Sequence, residues 1–75
     1  MEYKLKYPLE NLSVIKMRRP KVKDLLELQE LQVSDSEKEV MLFERLSGVS
    51  KDVLRELDIY DYSRLQEMYA DFLKG

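Results

Sequence analysis

The hydrophobic period changes once along this chain, and the change falls at Pro20. Before it, Tyr3, Leu5 and Tyr7 alternate with Glu2, Lys4 and Lys6, the period of two that marks a half-buried strand. After it, apolar residues recur every three to four positions, the period of amphipathic helices. A chain built this way must place a strand pair ahead of helices. At 75 residues it has room for one small domain. The expected fold class is therefore α+β: an N-terminal β-hairpin over residues 1–19, then three or four short helices over residues 20–75.

Local chemistry places the elements. Pro8-Leu9-Glu10-Asn11 reads as the turn between a strand at Tyr3–Tyr7 and a second at Leu12–Met17, with Ile15 and Met17 facing inward. Pro20 ends the second strand because it has no amide to donate. The first helix is expected over Lys21–Val33, with Val22, Leu25, Leu26, Leu28 and Val33 on its core face and Leu31 opposite, among Asp24, Glu27 and Glu30. Ser34-Asp35-Ser36 offers caps for a second helix, Ser36 and Glu39 fitting a capping box. Its core face is Val40, Leu42, Phe43 and Leu46, and Met41 projects elsewhere. Gly48 stops this helix, Ser50 caps a third over Lys51–Leu57, and Asp58 caps the last, from Ile59 to Lys74. That last helix is the clearest amphipath. Tyr62, Leu65, Met68, Tyr69, Phe72 and Leu73 share one arc, and Tyr60 points from the polar side.

Composition removes most chemistry. The chain has no Cys and no His, so it has no disulfide, no thiolate metal site and no histidine base or ligand. Its two glycines, Gly48 and Gly75, build no phosphate loop. Acidic neighbours such as Asp35 with Glu37 and Glu67 with Asp71 read as solvated helix faces, and Asp58 with Asp61 as capping rather than cation binding. No catalytic residue, cofactor site or metal site is expected. The longest apolar run is four residues, Val40–Phe43, too short to span a membrane. The opening Met-Glu-Tyr-Lys-Leu-Lys lacks the features of a signal peptide, so the cytoplasm is the expected compartment.

Charge is divided unevenly. Residues 1–23 carry seven Lys/Arg against Glu2 and Glu10, while residues 24–75 carry six Lys/Arg against thirteen Asp/Glu. The basic stretch peaks at Lys16, Arg18, Arg19, Lys21 and Lys23. The net charge of −2 makes the whole a poor ligand for nucleic acid, since such binding rests on phosphate neutralisation. Leu31, Met41 and Tyr60 are the apolar residues that helical geometry pushes off the main faces. They point to a partner-binding surface, with Arg18 and Arg19 as rim charges.

The run MRRPKVKDLLELQE, Met17–Glu30, and the run FERLSGVSKDVLRELDIYDYSRLQEM, Phe43–Met68, resemble in order and spacing the small tail assembly chaperones of Mu-like prophages and contractile-tailed phages. The likeness extends from Ser13 to Met68. It departs at Lys21, where a Thr or Ser cap is expected, and at a hairpin turn without Gly. The resemblance implies a non-structural, non-catalytic protein of the bacterial host cytoplasm. It implies binding to the tape-measure protein, contact with the tail tube protein, and room for a homo-oligomer. Two other readings stand beside it: a small regulatory protein of a mobile element, binding DNA through the Lys16–Lys23 patch, and an adaptor that binds one host protein.

Overall fold

The computed structural model describes residues 1–75 as a two-stranded antiparallel hairpin followed by four helices. The α+β expectation is borne out. Strand β1 spans Glu2–Leu9 and β2 spans Leu12–Lys16. Tyr3 faces Ile15 and Lys4 faces Val14, but Leu9 faces Leu12. Four residues of β1, Leu5–Pro8, thus stand opposite the single Ser13, a wide bulge. The bulge includes Pro8, which has no amide to offer a ladder. The turn is the pair Glu10-Asn11 rather than the four residues from Pro8, and no residue in it has positive φ. Hairpin turns of that hand mismatch the strand twist, and the bulge takes up the difference. Ile15 and Met17 face the core, as their alternation indicates.

Helix α1 spans Val22–Gln29, α2 Asp35–Ser47, α3 Lys51–Leu54 and α4 Ile59–Lys74. The caps follow the sequence in three cases. The Ser34 hydroxyl accepts from the Glu37 amide at 3.2 Å, Ser50 from Val53 at 3.3 Å, and Asp58 from Tyr60 at 2.9 Å. Ser36 lies inside α2, so the Ser36–Glu39 capping box does not form. Gly48 closes α2 with φ of 76°, a left-handed conformation that favours glycine. Helix α3 is shorter than the expected Lys51–Leu57, although Leu57 still reaches the core.

Twelve buried apolar residues form one cluster, drawn from both strands and all four helices, with Met17 and Leu57 from the segments between them. Phe43 is fully buried, its ring 5.5 Å from Tyr62 and 6.0 Å from Tyr69, so α4 lies along α2. Leu65, Met68 and Phe72 complete the α4 side. Two expectations for core faces fail. Leu73 is 65% exposed, one position beyond the buried Phe72. Met41 does not project away: it is half-buried and packs against the cluster.

Helix α1 departs furthest. It ends four residues before Val33, in a tight turn where the Leu31 amide donates to the Leu28 carbonyl. Of its expected core face only Leu28 is buried. Asp24, expected among the polar residues, is instead completely buried.

Candidate partner-binding surface

The two buried polar residues of the molecule, Asp24 and Asp61, explain how its surface is set out. Each lies three positions after its helix N-cap, Asp24 after Lys21 and Asp61 after Asp58. A carboxylate there complements the helix dipole. The two are then used differently.

Asp24 is held by cations. The Arg18 guanidinium forks onto both carboxylate oxygens at 2.8 and 2.9 Å, the Lys21 amide donates at 2.8 Å, and Arg45 Nε reaches it at 3.4 Å. Arg45 also pairs with Glu27. The Arg18 fork, the Lys21 amide and Arg45 together outweigh burial and hold the Asp24 carboxyl well below the usual carboxylate range. This cluster ties α1 to the end of β2 and to α2. An isolated eight-residue helix is unstable in water, so these bonds and Leu28 are what hold α1 in place.

Asp61 is held by donors from the hairpin. Tyr3 Oη donates at 2.6 Å, and the Lys6 and Tyr7 amides donate at 2.9 and 3.0 Å. The bulge in β1 frees those two amides from the ladder, and the carboxylate takes them. Burial works to raise the Asp61 carboxyl. The three hydrogen bonds and the Lys6 ammonium outweigh it, and the group sits below its ordinary value. Burial, with the bond to Asp61, pushes the Tyr3 phenol up to about 12. Asp58, read from sequence with Asp61 as a pair, is occupied as the α4 cap.

Because Asp24 takes an inward position on α1, three of that helix's four apolar residues face out and only Leu28 is buried. Val22 is 73% and Leu26 55% exposed, and Leu25 is exposed beside them. Leu31 and Val33 follow, also exposed, in the loop to α2. Next to this face lies a groove of about 210 Å³ between α1 and α2, with Leu25, Leu28, Leu42 and Tyr69 as its apolar lining. That is below the roughly 300 Å³ of the smallest usual ligand sites, so it suits inserted side chains better than a whole small molecule. A second depression, of about 410 Å³, lies between the hairpin turn and Val49 and Val53; Glu10 is its one charged lining residue.

A separate exposed patch forms where α4 starts beside the bulge. Ile59 is 80% exposed, Tyr7 and Tyr60 meet edge to face at 6.3 Å, and Lys6 Nζ lies 4.9 Å from the Tyr60 ring centre.

A family model described as "Phage tail assembly chaperone proteins, E, or 41 or 14" matches residues 3–74. The chain belongs to this family. No curated protein and no solved structure matches it.

Within this chaperone the residues singled out from sequence are scattered. Leu31 is exposed in the loop between α1 and α2, and Tyr60 is exposed in the separate patch at the start of α4. Met41 is packed inward. Arg18 turns its guanidinium to Asp24. Arg19 Nη2 donates to the Phe72 carbonyl at 3.0 Å, with its guanidinium carbon 5.5 Å from the Phe72 ring centre. Arg19 thereby satisfies a carbonyl of the last turn of α4. The Arg-Arg-Pro junction thus ties down α1 with one arginine and α4 with the next. Neither burial is expected from the sequence: Asp24 reads as part of the polar face of its helix, and Asp61 reads with Asp58 as capping. The available signal was their shared place in the first turn of a helix, with a basic run just ahead of Asp24.

Proposed function

We propose that this family member is a non-catalytic chaperone of the tape-measure protein, acting in the cytoplasm of the bacterial host. It keeps that long chain soluble and assists tail tube assembly around it. The observation that carries this reading is the division of apolar residues. Eleven large apolar side chains are exposed, against twelve apolar residues in the core. Single exposed apolar residues need no explanation. Here they gather along α1 and its following loop, and again at Tyr7, Ile59 and Tyr60. Such grouping marks surfaces that a partner covers.

A non-catalytic role agrees with the state of the buried groups. Every buried side-chain polar atom has a partner. Both buried carboxylates lie below their ordinary pKa and so are not poised as proton-transfer groups near neutrality. No helix is long and apolar enough to cross a membrane. On this reading Leu31 and Tyr60 touch the partner, while Arg18 and Arg19 fix the helices that present them.

Co-expression with the tape-measure gene of the same phage tests the proposal. The wild-type chain should raise the soluble yield of the tape-measure protein and co-purify with it. A Leu31→Ser, Tyr60→Ser double variant, its fold checked by circular dichroism, should lose the complex. A tape-measure protein that stays insoluble and unbound beside the wild-type chain refutes the proposal.

A further inference from the structure

We infer that the groove between α1 and α2 docks an amphipathic helix with a Lys/Arg-rich flank. The inference rests on the chaperone reading and names the chemistry its partner presents. Helix-in-groove recognition seats the i, i+3, i+4 and i+7 side chains of an amphipathic helix in an apolar trough. Leu28 and Leu42 line the trough with Tyr69 of α4. Val22 and Leu25, three residues apart on α1, continue the apolar surface outward.

Charge selects the occupant. Of the charged residues lining the groove, Asp35 and Glu39 are acidic and Lys38 is the one cation. Glu39 accepts hydrogen bonds from Tyr62 and Gln66, but no Lys or Arg neutralises it. Asp35, and Glu30, the C-cap of α1 that follows the lining residue Gln29, also form no ion pair. The acidic groups gather where the loop joins α1 to α2, whereas Lys23 lies near the opposite end of α1. A partner helix therefore gains most when its basic flank lies over Glu30, Asp35 and Glu39. The same field argues against a second copy of this chain. Helix α2 has four carboxylates against Lys38 and Arg45, α4 has three against Arg64 and Lys74, and α1 has two against Lys23. No helix of the protein is basic, so self-docking sets like charge against like.

The test uses two synthetic helical peptides of about 18 residues, long enough to hold helix in isolation. They share one leucine stripe, flanked by lysines in one and by glutamates in the other. Fluorescence anisotropy with the full chain should show binding of the lysine peptide, at least about tenfold tighter than the glutamate peptide and weakening with salt. Leu25→Glu should abolish it, and Ile59→Glu, on the remote patch, should leave it unchanged. A Glu30→Lys, Asp35→Lys variant should lose the preference for lysine. Circular dichroism confirms that each variant folds. Equal affinity for both peptides, or binding that survives Leu25→Glu, overturns the inference. A dimer in size-exclusion chromatography that Leu25→Glu dissociates assigns the groove to a second copy and also overturns it. Co-expression separates the two levels. If Leu25→Glu loses the lysine peptide but still solubilises the tape-measure protein, the groove assignment fails and the chaperone reading stands. If the wild-type chain binds the peptide but never the tape-measure protein, the chaperone reading fails instead.

Discussion

Replacing Asp61 by alanine removes the acceptor of three hydrogen bonds at once. The Lys6 and Tyr7 amides lose their partner, and the bulge leaves them no ladder position to return to. The Tyr3 hydroxyl loses a bond of 2.6 Å. Each polar group left unsatisfied and buried costs about 1–3 kcal/mol. Lys6 and Tyr7 are exposed residues, so water reaches the edge of the vacated site and the lower part of that range applies. Three groups at about 1 kcal/mol each give about 3 kcal/mol. In a domain of this size 1 kcal/mol shifts the melting temperature by about 4–8 °C, so Asp61→Ala should melt about 12–24 °C below wild type.

The assay is thermal unfolding by circular dichroism at pH 7, with Asp71→Ala and Tyr3→Phe measured alongside. Asp71 is exposed and lies 3.8 Å from Lys74, an ion pair worth about 0–1 kcal/mol. Tyr3→Phe removes one of the three bonds and should fall between the two aspartate variants. Amide exchange gives a local reading. The Lys6 and Tyr7 amides should lose protection in Asp61→Ala more than those of α2. If Asp61→Ala melts no lower than Asp71→Ala, the bulge is held by its own backbone and the role assigned to Asp61 is wrong.

Leu65→Ala, at a fully buried site, should cost about 2–5 kcal/mol in urea titration, whereas Leu73→Ala should leave the unfolding free energy within about 0.5 kcal/mol of wild type. Gly48→Ala should destabilise by about 1 kcal/mol through its positive φ alone, since no atom lies within 4 Å of the added methyl carbon. Asp24 and Asp61 both titrate below the ordinary 3.8 in the folded chain, so their stabilisation is full above that value and is lost as pH falls through the folded pKa values. Acid unfolding should therefore set in below about pH 4 and become shallower in Asp61→Asn, as read by circular dichroism against pH.

The parts of the fold legible in sequence are those set by neighbouring residues. Ser50 and Asp58 cap helices because their oxygens reach amides two or three positions on, and Gly48 closes α2 because few other residues take its backbone conformation. Leu65 and Phe72 are core because one long helix lays a continuous apolar stripe on the common core. What was not legible depends on contacts far apart in the chain. Asp61 meets residues 54 to 58 positions away, and its place in the first turn of α4 does not by itself reveal those partners. Helical-wheel reasoning on α1 failed for the same reason. It assigns leucines inward and aspartates outward, and it has no access to the Arg18 and Arg45 guanidiniums that reverse the preference. The surface residues followed suit. Tyr60 and Leu31 read as exposed because they broke a local pattern, whereas Val22 and Leu26 read as core because they fitted one.

The reversal of α1 has a consequence for how the surface is made. Replacing a buried ion pair with apolar residues of similar volume is often neutral or stabilising, so stability alone does not require an aspartate at position 24. What the Arg18–Asp24–Arg45 cluster does fix is the rotation of the helix about its axis. With about 100° per residue, Val22 and Leu26, each two positions from Asp24, lie about 160° round from it. Once Asp24 points inward, those two side chains point to solvent, and Leu25 stands at the margin of the groove. A leucine at position 24 would remove the directional bonds and leave the helix free to turn toward burying Leu25 and Leu26. That would fill the core at the expense of the apolar face. The buried carboxylate thus keeps hydrophobic side chains on the outside of a domain too small to bury them all, where a partner can reach them.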